Sequence, residues 1–143
     1  MEIRLAKSDE EIAACLPVMR ELRPHVTERD FVSRVRRQAP SGYSLAYILE
    51  GIEPVAVAGY RIGENLAWGR FLYVDDLVTR SSHRSRGYGA ALLSWLMTQA
   101  AEAGCEQVHL DSGIHRTDAH RFYDLRGMER ASVHFRKVIA PHA

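Results

Sequence analysis

Cysteine is scarce in this chain, and the two present, Cys15 and Cys105, stand far apart. Neither a disulfide framework nor a C-x-x-C redox or zinc pair can be written from them. Each sits among apolar residues of an expected helix or strand, so a buried thiol is the expected state. Net charge is scarce too: 19 Lys and Arg against 18 Asp and Glu leave +1. The chain-wide basic field that drives nucleic-acid binding is therefore missing. Long apolar runs are missing as well, and no segment reads as membrane-spanning. The N-terminus, MEIRLAKSDEEI, carries acids where a secretory leader would carry its apolar core. These absences lead to the expectation of a cytoplasmic protein with no membrane and no nucleic-acid partner. Seven histidines are present, but none pairs with another at helical ligand spacing beside a third ligand; His115 and His120 are five apart. No metal site is expected.

What is present is an ordinary globular composition, 46% hydrophobic and 26% charged over 143 residues, enough for one domain with its own core. Residues 1–143 are therefore read as a single domain. EIRLA alternates and predicts a first strand. Ser8 with Glu11 three residues on is a capping box, followed by Ile12, Leu16, Met19 and Leu22 at helical spacing. That helix is expected to stop before Pro24. Thr27 and Asp30 open a second helix, with Phe31, Val32 and Val35 as its apolar face and Arg34, Arg36 and Arg37 on its solvated side. From Tyr43 the period changes. YSLAYILE, PVAVAGYRIG and LAWGRFLYVDDLVTR predict three strands in an antiparallel meander. A long helix is expected from Gly87 to about Ala103, closed by Gly104. CEQVHLDS predicts another strand, AHRFYDLRG a short helix capped by Gly127, and ASVHFRKVI a closing strand. The order β-α-α-β-β-β-α-β-α-β implies an α+β fold. Its mixed, mostly antiparallel sheet would carry helices on both faces and one parallel crossover around the long helix.

The crossover carries the most informative stretch, HRSRGYGAALL at residues 83–93. Three readings compete for it: a basic strip for nucleic acid, a plain turn before a helix, and a cradle for phosphate. Backbone N–H groups at a helix N-terminus are unpaired and the dipole there favours anions. Gly87 and Gly89 remove the side chains that would hold a phosphate away, and Arg84 and Arg86 add charge. The stretch is no P-loop, since the lysine and hydroxyl of that motif are missing, and its GxGxxG is incomplete. A nucleic-acid-binding arginine–glycine segment would be disordered and interleaved with aromatics. This one runs straight into an amphipathic helix.

The wider pattern narrows the choice. DLVTRSSHRSRGYGAALL resembles the acyl-CoA-binding motif of the GNAT superfamily of N-acetyltransferases, a strand, then [RQ]-x-x-G-x-[GA], then a helix with paired leucines. The matching residues are Arg84, Ser85, Arg86, Gly87, Tyr88 and Gly89, with Leu92 and Leu93. AHRFYDLRGM resembles the second motif of that family through Ala119, Phe122, Tyr123, Gly127 and Met128. One strand separates the two motifs, as in the family.

The resemblance implies acetyl-CoA as co-substrate. It implies a strand splayed from its neighbour whose backbone, at Asp76, Leu77, Val78 and Thr79, pairs with the pantetheine arm. An amide in the region of Val78 would polarise the thioester carbonyl. Backbone groups from Arg84 to Ala90 would hold the pyrophosphate, with Arg86 and Tyr88 flanking the cofactor. Tyr123 matches the tyrosine that protonates the leaving thiolate, and Phe122 is expected in the core. Asp75 stands where related enzymes carry a glutamate and is the first candidate for general base. Strand alternation would place it and Asp76 on opposite faces. Asp111 and His109 are further candidates. Two positions depart from the family: Arg116 replaces an asparagine that contacts the pantetheine arm, and Thr79 replaces a common valine.

The implied reaction is direct attack of a primary amine on the thioester. The loop LRPHVTER, around Arg23, Pro24 and His25, lies where acceptors are chosen and carries no clear code. A small-molecule amine is the favoured acceptor, and the late strands favour a homodimer. The rival reading is a non-catalytic module that binds acyl-CoA as a sensor or through a partner.

Overall fold

A computed structural model describes residues 1–141. Five strands form one sheet in the order β1-β2-β3-β4-β5: β1 (Ile3–Leu5), β2 (Tyr43–Glu50), β3 (Glu53–Asn65), β4 (Gly69–Thr79) and β5 (Gln107–Leu110). β1 to β4 run antiparallel, each to the next. β5 joins β4 in parallel through a crossover that contains α4 (Tyr88–Glu102). A parallel neighbour needs such a crossover because a hairpin cannot reverse the chain twice. The remaining helices are α1 (Asp9–Ala14), α2 (Leu16–Leu22), α3 (Phe31–Gln38) and α5 (Thr117–Asp124). The chain clusters into two compact units, one spanning Met1–Leu110 and the other starting at Asp111.

In the first unit the sheet is covered on both faces, as the element order implies. Alternation in β2 sends Tyr43, Leu45 and Tyr47 into one core with Ile12, Leu16, Met19 and Phe31 of α1, α2 and α3. It sends Ala46 and Ile48 into a second core with Leu92, Leu96 and Ala100 of α4. Leu92 and Leu96 are fully buried, each contributing about 1.5–3 kcal/mol by removal from water.

The capping box forms as expected: Ser8 Oγ accepts the Glu11 N–H and Glu11 accepts the Ser8 N–H. The Ser8 N–H, with the Lys7 N–H and the Tyr47 hydroxyl, lowers the Glu11 carboxyl pKa to about 2. The first helix does not run unbroken, however. It ends at Ala14 and resumes at Leu16, because Pro17 has no N–H to donate to Ala13 and its ring would clash there. The second unit holds α5, with Gly127 beyond its end at φ +80°. The strand expected over ASVHFRKVI is absent: these residues form no ladder, and Val133, Phe135 and Ile139 are 73%, 90% and 89% exposed. Alternation says which side chains would share a face, but it cannot supply the neighbouring strand that makes the ladder.

Candidate active site

The stretch HRSRGYG joins β4 to α4. A short 3-10 turn covers Ser81–His83, Ser85 turns at φ +65° and Gly87 caps α4 at φ +86°. The first helical bond of α4 is Ala91 N–H to Gly87 C=O, 3.0 Å, so the N–H groups of Tyr88, Gly89 and Ala90 have no partner within the helix. A Cβ at Gly87 would meet no protein atom within 4 Å. Glycine is required there by its φ, and the space in front of it is open. Open donors, a dipole and a bare Cα fit a diphosphate.

The cations of this loop are less free than their sequence implies. Glu50, at the end of β2, accepts a hydrogen bond from the Tyr88 hydroxyl and stands 3.7 Å from Arg86 and 3.6 Å from His83. The Tyr88 bond is the main reason that the Glu50 carboxyl titrates below the ordinary range. Arg84 has no ion pair among the described residues. Nothing in the sequence pattern points to Glu50, which lies far upstream on another strand.

β4 is splayed. It pairs with β5 only from Phe71 to Val74, whereas it pairs with β3 as far as Thr79. From Asp75 to Thr79 it therefore has one ladder and one edge without a strand. The polar direction of that edge follows from one bond. Arg80 N–H donates to Val55 C=O at 2.7 Å, so by alternation the Val78 N–H also points at β3. Leu77 and Thr79 present their N–H groups to the splayed edge. The Val78 amide itself faces β3, and its neighbours Leu77 and Thr79 are the ones on the open edge.

A bulge sits at Asp75. Gly59 pairs with Asp76 and Tyr60 with Val74, leaving Asp75 as the extra residue. The bulge inverts the alternation: Leu72 and Val74 face the α4 core, but Val78 faces the α1–α3 core. Asp75 and Asp76 consequently share one face instead of taking opposite ones. Asp75 accepts from Arg61 Nε at 3.0 and 3.1 Å and from Arg61 Nη2 at 2.6 Å. Gln38 of α3 accepts a second bond from Arg61 Nη2, 2.8 Å. Asp76 accepts from Arg23 Nε at 2.8 Å and from the Tyr43 hydroxyl at 3.1 Å. Burial raises the Tyr43 phenol pKa, and the Asp76 charge raises it further. Gly59 makes room for this contact, since a Cβ there would lie 2.1 Å from the Tyr43 oxygen. The Asp75 side chain is 23% exposed and that of Asp76 12%. Two nearby arginines bind elsewhere: Arg70 donates to Ala103 C=O and Arg80 pairs with Glu53.

In the second unit, Tyr123 lies on α5 and is half-buried, and this burial raises its phenol pKa. Phe122 is not a core residue; it is half-buried, with the Arg126 guanidinium 3.8 Å from its ring centre and Tyr123 packed edge-on. Arg116 is the N-cap of α5 and makes no side-chain capping bond. Asp111 is exposed and stands 3.5 Å from His134. His109, in the first unit, stacks on Trp68 at 3.5 Å and bonds Gln107. It belongs to a stack beside β5.

Comparison with known proteins agrees with this geometry. The model of the "Acetyltransferase (GNAT) family" matches residues 6–128, running through both units. The chain is 36% identical over 134 residues, 92% of its own length, to a Bacillus subtilis (strain 168) protein described as an uncharacterized N-acetyltransferase, YhdJ, and covers 94% of that protein. It is 35% identical over 66 residues to the aminoalkylphosphonate N-acetyltransferase of Salmonella typhimurium (strain LT2), covering 46% of this chain and 43% of that one. Its fold matches that of aminoglycoside N-acetyltransferase AAC(6')-Iy, solved in complex with CoA, with a TM-score of 0.85 at 13% identity over 97% of this chain and 95% of the other. The splayed β4, the glycine-capped loop and these likenesses agree, and the chain belongs to the GNAT family of acetyltransferases.

Proposed function

We propose that residues 1–143 act as one acetyl-CoA-dependent N-acetyltransferase domain that moves an acetyl group to the primary amine of a small molecule by direct attack. The observation that carries this reading is the single-laddered stretch of β4 leading into an anion-ready loop. Acetyl-CoA supplies the acyl group as co-substrate. The donors from Arg84 to Ala90 bind its diphosphate, and the edge amides of Leu77 and Thr79 bind its pantetheine arm. The Leu77 N–H stabilises the oxygen that gains charge as the amine adds to the carbonyl. As the new C–N bond forms, the amine loses a proton. Asp75 accepts it through water, using the lone pairs that Arg61 leaves open. As the C–S bond breaks, the Tyr123 hydroxyl gives its proton to sulfur. Its raised pKa keeps it protonated at neutral pH. An amide and free CoA thiol result, and solvent restores both side chains.

The acceptor class draws support from the partly similar aminoalkylphosphonate enzyme. The two free cysteines suit a cytoplasmic setting. The exposed apolar residues Val133, Phe135 and Ile139 favour a homodimer in which segment 131–139 meets a second copy. The test is a panel of aminoalkylphosphonates, aminoglycosides and polyamines, read by free-thiol release. Turnover that falls about a hundredfold in Tyr123→Phe with unchanged CoA affinity is expected. Tight CoA binding with no turnover on any amine would support the acyl-CoA-binding module instead.

A further inference from the structure

A β-bulge frees a backbone carbonyl from the ladder, and a buried carbonyl left unpaired is costly. Here the freed group is the Asp75 C=O, and Arg23 Nη2 donates to it at 2.8 Å. The same guanidinium donates through Nε to the Asp76 carboxylate, 2.8 Å. One rigid fork thus holds two consecutive residues of β4, one by its backbone and one by its side chain. Lysine could not do this, having no planar pair of donors. Arg23 is the C-cap of α2, with Pro24 next in sequence, so it leaves the helix at the head of the loop that reaches α3. On the far side Tyr43 fixes the second oxygen of Asp76 through the space that Gly59 leaves open.

The direction of the splayed edge depends on this bulge. Without the extra residue, alternation would run unbroken through β4 and every peptide group beyond it would turn over. Leu77 lies one residue past Asp76, with no ladder on its open side to hold it. We propose that Arg23 is a positioning residue for acetyl transfer: by clamping Asp75 and Asp76 it sets the height and direction of the Leu77 and Thr79 amides. The role rests on the acetyltransferase reading above, in which those amides meet the thioester and the pantetheine arm. It also links the loop after α2 to the cofactor strand, so that a change in one is felt by the other.

Arg23→Ala tests the clamp with two independent readouts. The first is kinetic: kcat falls about tenfold to a hundredfold, the cost of misplacing a reacting group by a fraction of an ångström to an ångström. CoA affinity falls by less than kcat does, because the pantetheine amides shift while the loop at Gly87, which holds the diphosphate, is untouched. Guanidinium ion at low millimolar concentration restores part of the lost rate, which a mere loss of stability would not allow. The second is spectroscopic and needs no turnover: the amide resonances of Leu77 and Thr79 shift in Arg23→Ala and move back with guanidinium. Arg23→Lys, which keeps the charge and loses the fork, shows the same shifts in smaller degree and covers the case of an unfolded alanine variant. Arg36→Ala removes another aspartate-paired arginine, remote from the bulge, and leaves both readouts unchanged. Unmoved Leu77 and Thr79 resonances would overturn the clamp, as would a kcat that Arg23→Ala leaves intact. A wild-type chain that acetylates no amine defeats the functional reading alone, and the resonances then decide the clamp by themselves.

Discussion

The two ends of the splayed strand are built on opposite rules. At the bulge, polar groups are held by partners: Asp75 and Asp76 between them accept from Arg61, Arg23 and Tyr43, and Arg23 also takes up the Asp75 carbonyl. At the loop before α4, backbone donors are left without helical partners and the glycine in front of them faces open space. A network of partners yields rigidity, because each contact removes an alternative position for the others. Open donors yield binding, because a ligand gains bonds without breaking any. The strand between them thus runs from a fixed end to a receptive end, and the amides that face the splayed edge lie between. The contrast predicts that damage at the receptive end reads out as lost affinity. Damage at the fixed end should read out as lost stability and lost rate.

The largest effect is expected from Gly87→Glu. A side chain at φ +86° costs about 1–3 kcal/mol of stability. Its carboxylate would also occupy the open space where the diphosphate is expected. CoA affinity should fall by more than about a hundredfold, some 3 kcal/mol, while the circular dichroism spectrum stays native. Calorimetric titration with CoA measures this. An affinity within threefold of wild type would mean that the loop does not hold the diphosphate.

Gly59→Ala attacks the fixed end. The added methyl would lie 2.1 Å from the Tyr43 oxygen and 2.7 Å from Asp76 Oδ2, and neither group can retreat without losing its partner. Overpacking of this kind costs about 1–3 kcal/mol. Urea denaturation should show that loss, and kcat should drop with it, while CoA affinity changes little. A loss of CoA affinity equal to that of Gly87→Glu would erase the distinction between the two ends.

The unequal legibility of these ends has a physical cause. The receptive end is local: a strand, a glycine turn and a helix lie within about twenty consecutive residues, so their chemistry shows in HRSRGYGAALL itself. Its resemblance to a known acyl-CoA motif added specificity. The meander, the capping box and the two-faced burial were legible for the same reason, since periodicity and caps are short-range. The fixed end is assembled from Arg23, Tyr43, Gly59, Arg61 and the two aspartates on four separate elements, and no spacing rule connects them. Alternation even misplaced Asp75 and Asp76, because one inserted residue inverts every face beyond it. The closing strand failed for a related reason. ASVHFRKVI carries the pattern of a strand, but pairing depends on a neighbour that the segment itself does not encode.

The smallest effect sharpens the comparison from inside the receptive end. Glu50 is an anion that reaches the cations of that loop, where it binds the Tyr88 hydroxyl and stands near Arg86 and His83. It gives the loop a measure of the order found at the bulge, at the cost of competing with the incoming diphosphate for its cations. Glu50→Gln should therefore tighten CoA binding rather than weaken it, by about two- to fivefold at low salt, the range of exposed charge pairs. The gain should vanish at high salt, where the Debye length contracts. The pH dependence has a definite sign. The Tyr88 bond holds the Glu50 carboxyl below its ordinary pKa, so as pH falls the anion outlasts an ordinary glutamate and the difference between wild type and variant persists with it. The difference closes only in stronger acid, as the carboxylate takes up its proton. Weaker binding in Glu50→Gln at low salt would show that Glu50 serves to order the loop. The receptive end would then share the rule of the fixed one.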